Sequence, residues 1–157
     1  MVRCKSSSRF LSIIKPTILT QTDTTVGFLS QNANKLFEIK SRDNSKPFIK
    51  VYCDFKTLLL HKHRIPQNQK TLVRRSKKTT FIIKNRAFRV SNNNLNSTLL
   101  DKLDWCYSTS ANESGKKFDR KFCEEKVDMI IEDKNLLTEQ SSSTLIKINN
   151  LKKRKLR

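Results

Sequence analysis

An α/β fold (α+β in some schemes), with a mixed sheet covered by helices, is what the sequence predicts, and three observations carry it. Short apolar runs of strand character, such as Phe81-Ile82-Ile83 and Met129-Ile130-Ile131, alternate along the chain with segments of helical spacing. Two neighbouring runs, residues 79–84 and 87–91, are joined by Asn85-Arg86 alone, which demands an antiparallel pair and so a sheet that is not wholly parallel. The length, 157 residues, suits one domain with one core.

The elements follow in order. Residues 1–16 are polar, basic and poorly patterned up to Pro16, and read as a loosely attached basic N-terminal extension before a domain over 17–157. Residues 17–22 form a strand that runs into a polar turn, Gln21-Thr22-Asp23-Thr24-Thr25-Val26-Gly27. Asn32 or Ser30 caps a helix to about Ser41, with Ala33, Leu36 and Phe37 at helical spacing. Residues 47–53 are β-rich, and Asp54 caps a helix over 55–60. A polar loop over 61–66 precedes a short basic helix to Ser76, and the hairpin follows. Residues 95–103 have helical spacing, 105–109 are strand-like, and Asp119 caps a helix to about Lys126. Residues 127–131 and 144–148 are further strands, before an almost wholly basic tail over 151–157.

Composition excludes several classes. The four cysteines lie far apart with no Cys-x-x-Cys pair, and His61 and His63 stand on a polar loop without a third ligand at zinc spacing. No apolar run approaches the roughly 18 residues of a membrane span. The patch at residues 10–14 is too short for a signal peptide, so a cytoplasmic location is expected. Lys and Arg number 33 against 14 acids, a net charge of +19 that favours polyanionic partners such as nucleotides or nucleic acid. A lysine-rich compositional drift gives the same charge, so charge alone identifies no partner.

The chemistry sits in a few segments. Tyr107-Ser108-Thr109-Ser110-Ala111-Asn112-Glu113-Ser114-Gly115 gathers hydroxyl and amide groups after an apolar run and ends on one of two glycines. Gly115 permits positive φ, and backbone N–H groups there suit an anion. Lys40, Arg42 and Lys46 lie within seven residues at a helix end, where cations either complement the helix dipole or clamp phosphate. Arg89, between apolar neighbours, points either to solvent or to an interior anion. There is no Ser-His-Asp set, no Walker loop and no carboxylate pair for glycosidic chemistry. Anion neutralisation is favoured over proton transfer.

Taken together, Thr22-Asp23-Thr24-Thr25-x-Gly27, Lys40-x-Arg42-x-x-x-Lys46-Pro47, Thr80-Phe81, Arg89-Val90, Ser108-Thr109-Ser110-Ala111-Asn112-x-Ser114-Gly115 and Ser143-Thr144 resemble the YrdC-like family, in its short single-domain bacterial form. That family includes the threonylcarbamoyl-AMP synthases. The resemblance implies a three-layer fold with a twisted mixed β-sheet flanked by helices. It also implies synthesis of threonylcarbamoyl-AMP and pyrophosphate from L-threonine, bicarbonate or CO2, and ATP with Mg2+. A partner transferase complex would use the product on the anticodon-adjacent adenosine of tRNA.

Carried over by position, Lys40, Arg42, Lys46, Thr80, Arg89, Ser110, Asn112 and Arg157 would contact ATP, while Thr22, Ser110 and Ser143 would hold threonine. Asp23 is expected to shape its loop by an Asx-type bond. Gln21, Val51, Ser76-Lys77-Lys78 and Ser142 depart from the family pattern. The competing reading is a non-catalytic module that binds tRNA or double-stranded RNA in the same basic cleft. A carbamoyl-adenylate step of hydrogenase maturation, as in longer relatives, is disfavoured.

Overall fold

The computed structural model describes residues 2–4, 15–41, 47–91, 97–132 and 137–157. Ten strands build one mixed sheet: β1 (Val2–Cys4), β2 (Ile18–Gln21), β3 (Val26–Ser30), β4 (Ile49–Tyr52), β5 (Thr79–Ile83), β6 (Arg86–Val90), β7 (Trp105–Ser110), β8 (Met129–Ile131), β9 (Thr144–Ile148) and β10 (Lys153–Lys155). Their order is β1-β8-β2-β3-β7-β4-β6-β5-β9-β10. Three pairs are parallel (β2 with β8, β4 with β6, β5 with β9) and the other neighbours are antiparallel. The helices are α1 (Ala33–Lys40), α2 (Phe55–Leu60), α3 (Lys70–Arg75), α4 (Ser97–Leu103) and α5 (Arg120–Glu125).

Cap chemistry starts three of the helices where the sequence places them. Asn32 accepts from Asn34 N at 3.0 Å, Asp54 from Thr57 N at 2.6 Å and Asp119 from Phe122 N at 3.2 Å. Each satisfies one of the four unpaired N–H groups of a first turn, a contribution of about 1 kcal/mol.

Side-chain alternation then sorts the sheet into two faces. Val51 pairs with Arg89 on β6 and with Cys106 on β7, so these three share a face. There Ile18, Leu29, Val51, Leu100 and Cys106 form a core beneath α4. The opposite face carries two cores: Leu19, Phe28 and Leu36 under α1 with Cys123 of α5, and Tyr52, Leu58, Val73, Phe81 and Phe88 under α2 and α3. Helices on both faces of the sheet give three layers. Phe28, Phe81 and Phe88 are each at most 1% exposed, and burial of each contributes about 1.5–3 kcal/mol.

Four expectations change. Gly27 is not in a turn; it is the second residue of β3, and the turn is confined to the residues between β2 and β3. Every residue of β3 is buried, so no alternation marked it as a strand. The β5–β6 connection is Lys84-Asn85, one residue earlier than expected, with both residues at positive φ (46° and 62°). Within the basic tail, Lys153–Lys155 form an edge strand paired with β9. At the other edge, Val2–Cys4 of the N-terminal segment pair with β8.

Candidate functional site

The β2–β3 hairpin and β7 build one wall. Gly27 pairs with Ser110 across β3 and β7. A Cβ on Gly27 would lie 2.7 Å from Thr22 Cγ2 and 3.3 Å from the Thr109 carbonyl oxygen, so glycine is needed for close approach rather than for a turn. The loop before it is tied by Thr22, whose Oγ1 donates to Thr25 O at 2.6 Å and accepts from the backbone N of Thr24 and Thr25 at 3.3 and 3.2 Å. Asp23 therefore does not supply the turn bond.

Asp23 instead accepts from Arg89 Nη1, in an ion pair whose two side chains are each 7% exposed. Three more of the five Arg89 N–H donors are also placed. Nη1 reaches Thr24 Oγ1 at 3.2 Å, and Nε and Nη2 reach Thr80 Oγ1 at 3.2 and 2.9 Å. Both acceptor positions of the Thr80 hydroxyl are thus filled, so its hydrogen is directed to Ser143 Oγ, 2.9 Å away. The Ser143 hydrogen is left to donate elsewhere. Ser143 lines the cleft.

A second network sets the far wall. Asn112 Oδ1 accepts from Ser110 Oγ at 2.7 Å and from Lys40 Nζ at 2.8 Å. Since Ser110 donates there, its oxygen lone pairs remain to accept from a ligand. Lys40 Nζ also donates to the carbonyls of Ser110 (3.1 Å) and Asn112. Lys40 is buried, and its charge orders the loop from behind rather than lining the cavity. Gly115 follows this loop at φ 81°, the positive φ that glycine permits.

These walls enclose a cavity of about 340 Å³ that Thr22, Arg89, Ser110, Ser143 and Arg157 all line. Arg157 is held there by backbone pairing with Leu145 and by Nε donating to Ser143 O at 3.3 Å. Thr80 sits behind Arg89, and Asn112 behind Ser110. Arg42 and Lys46 lie outside the described residues. Thr24, Thr25 and Ser108 also line the cavity; they belong to the motifs that carry the resemblance but were given no ligand role there. Ser108 was readable, because it stands two residues before Ser110 on one strand and so shares its face.

A side hollow of about 20 Å³, between Leu29, Val51 and Leu100, opens beside Thr22, Arg89 and Ser108. Its size matches a single methyl- or water-sized group. Among the described residues, no three His, Cys, Asp or Glu side chains converge as a metal site. Cys106 and Cys123 are structural, their thiols pushed up to about 12 and about 11 by burial. No helix among the described residues is long and apolar enough to cross a membrane.

The model of the Sua5, YciO and YrdC domain, described as Telomere recombination, matches residues 17–157. The chain belongs to the Sua5/YciO/YrdC family. No curated protein matches it. Among solved structures it is similar to P. abyssi Sua5 complexed with L-threonine, with TM-score 0.72 and 20% identity over 90% of this chain and 50% of that one. It is also similar to E. coli YciO, with TM-score 0.71 and 18% identity over 91% of this chain and 82% of that one. A full-length HypF in phosphate- and nucleotide-bound form gives TM-score 0.76 and 13% identity over 100% of this chain and 25% of that one. The chain thus spans half the length of the Sua5 chain it matches. At these identities the structures establish the shared mixed-sheet α/β fold.

Proposed function

We propose that this chain is an L-threonylcarbamoyladenylate synthase, with the cleft as its active site. The observation that carries the reading is the convergence of Arg89, Ser110, Ser143 and Arg157, from four separate segments, on a single cavity. It offers fixed positive charge, one committed donor and one committed acceptor. The family and the threonine-bound Sua5 neighbour support the choice of amino acid. The nucleotide-bound HypF supports a nucleotide beside it.

In this reading L-threonine places its side-chain methyl toward the hollow of Leu29, Val51 and Leu100. Ser143 donates to its carboxylate and Ser110 accepts from its nitrogen. Threonine nitrogen takes up CO2 to form a carbamate, with loss of a proton. A carbamate oxygen then attacks the α-phosphorus of ATP, and pyrophosphate leaves. ATP would enter as its Mg2+ complex, in which the metal masks phosphate charge. Arg89 and Arg157 oppose the negative charge that builds on the α-phosphoryl oxygens, and because Arg89 is already fixed by Asp23, Thr24 and Thr80 it needs no reorganisation as the charge develops. By analogy with an oxyanion-hole donor, a well-placed cation supplies about 3 kcal/mol. The product passes to a tRNA-modifying partner.

Pyrophosphate release from Mg–ATP tests this. It should require threonine and bicarbonate together. Turnover indifferent to threonine would sink the reading. Salt-sensitive tRNA binding in the cleft without any turnover would favour the non-catalytic RNA-binding alternative.

A further inference from the structure

On the opposite face of the sheet lies a second basic site that the cleft does not use. Arg86 and Phe88 alternate with Arg89 on β6, and Ile83 pairs with Arg86, so these residues face away from the cleft. Around them, Lys62, His63, Arg64, Ile83, Lys84 and Arg86 line an open hollow of about 410 Å³. Five of the six are basic or imidazole side chains, and no carboxylate among the described residues lines it. Among the described residues, none of Lys62, Arg64, Lys84 and Arg86 forms a salt bridge.

The backbone holds two of these lysines at a cost. Lys62 and Lys84 stand at φ 58° and 46°, a left-handed conformation that disfavours residues with a Cβ by about 1–2 kcal/mol. In a two-residue hairpin such as Lys84-Asn85 the usual occupants are Asn and Gly. Two unrelated turns therefore carry lysine where lysine is disfavoured, and both present it to the same hollow.

Aromatic rings adjoin it. His63 packs 5.2 Å from Phe88 and 5.4 Å from Tyr52, Tyr52 packs 5.5 Å from His61, and His61 lies 5.8 Å from Trp105. Lys50 Nζ sits 3.7 Å over the Trp105 ring, inside this patch. The Tyr52 hydroxyl is buried without a partner. Tyr52 and Phe88 are buried beneath the patch, and His61, His63 and Trp105 are the rings that reach its surface. Spaced cations beside such rings are what a nucleic-acid strand requires, for phosphates and for base faces respectively. A small enclosed anion would instead call for a converging ring of donors.

We propose that this hollow, on the face opposite the cleft, binds the phosphodiester backbone of a nucleic-acid strand, with bases lying toward His61 and Trp105. Trp105 is the single tryptophan of the chain, which gives the site its own reporter. An unstructured RNA oligonucleotide titrated into the intact protein should produce a saturable change in Trp105 emission. Arg64→Glu with Arg86→Glu should weaken this binding by at least about tenfold and lower the salt slope by about 1.4, for two lost phosphate contacts. The control pair Lys117→Glu with Lys121→Glu makes the same charge change at α5, which packs over β2, β3 and β8 rather than β5 and β6, and should keep the signal. Three results would each overturn the proposal: equal weakening by both pairs, RNA binding that leaves Trp105 emission unaltered, or an equal response to inorganic phosphate at the same phosphate concentration. Circular dichroism should show that these exposed substitutions leave the fold intact.

Discussion

Arg89 is tied to Asp23 across 66 residues of sequence, in an ion pair almost sealed from solvent at the floor of the cleft. The pair couples the β2–β3 turn to β6. It also means that the main cation of the cleft carries a resident counter-ion, which a phosphate or carboxylate ligand must share.

Asp23→Ala leaves a buried guanidinium without its anion, so we expect a loss of about 3–5 kcal/mol in urea denaturation. Asp23→Asn keeps the hydrogen-bond acceptor and should cost less. Mg–ATP should restore more stability to Asp23→Ala than it adds to the unaltered protein, because the incoming anion replaces the missing one. Equal ligand stabilisation of both proteins would place the nucleotide away from Arg89.

Gly27→Ala tests the close approach of β3 to the threonine turn. The added Cβ meets Thr22 Cγ2 at 2.7 Å, and Thr22 cannot rotate away without breaking the bonds of its Oγ1. We expect about 1–3 kcal/mol of destabilisation, and calorimetry should show threonine affinity falling more than ATP affinity. Gly115→Ala meets nothing within 4 Å, yet sits at φ +81°. It should cost about 1–2 kcal/mol through backbone conformation alone.

Lys40→Met removes the ammonium that gathers Ser110 O, Asn112 O and Asn112 Oδ1. Amide hydrogen exchange over residues 110–116 should accelerate, and kcat should fall by more than tenfold without a comparable rise in the KM for ATP. A selective rise in KM would instead make Lys40 a direct phosphate contact.

His63 titrates below its ordinary range because burial, then Lys50, Arg86 and His61, oppose its charged form; the Tyr52 and Phe88 rings pack against it. The folded state therefore binds this proton less readily than the unfolded chain, and stability rises with pH across the interval. The contribution is fully present above the unfolded value near 6.5 and is lost as pH falls through the lower folded value. Melting curves from neutral to mildly acidic pH should fall less steeply for His63→Gln than for the unaltered protein. An unchanged slope would show that His63 is not the group responsible.

Elements announced by local chemistry were legible in the sequence. Asn32, Asp54 and Asp119 start their helices because a side-chain oxygen beside an apolar run satisfies a first-turn N–H. β3 was hidden because a strand buried on both faces shows no alternation, and its threonine-rich approach with Gly27 mimics a turn. β10 was hidden because a row of cations says nothing of the backbone behind it. At the site, Thr22, Arg89, Ser110, Ser143 and Arg157 line one cavity, whereas Lys40, Thr80 and Asn112 from the same set do not. The direction of a side chain is another matter. Lys40 could be placed near the loop but not behind it, and nothing local joins Asp23 to Arg89. Both depend on register between distant strands.

The central claim is that one cavity holds a nucleotide against an amino acid and joins them through a carboxyl carbon. Mass spectrometry of the product formed with carbon-13 bicarbonate, threonine and Mg–ATP tests it most directly. The account predicts an AMP species that contains threonine and one heavy carbon, and that vanishes when threonine is omitted. AMP and pyrophosphate formed without threonine, or with no heavy carbon in any nucleotide product, would contradict it.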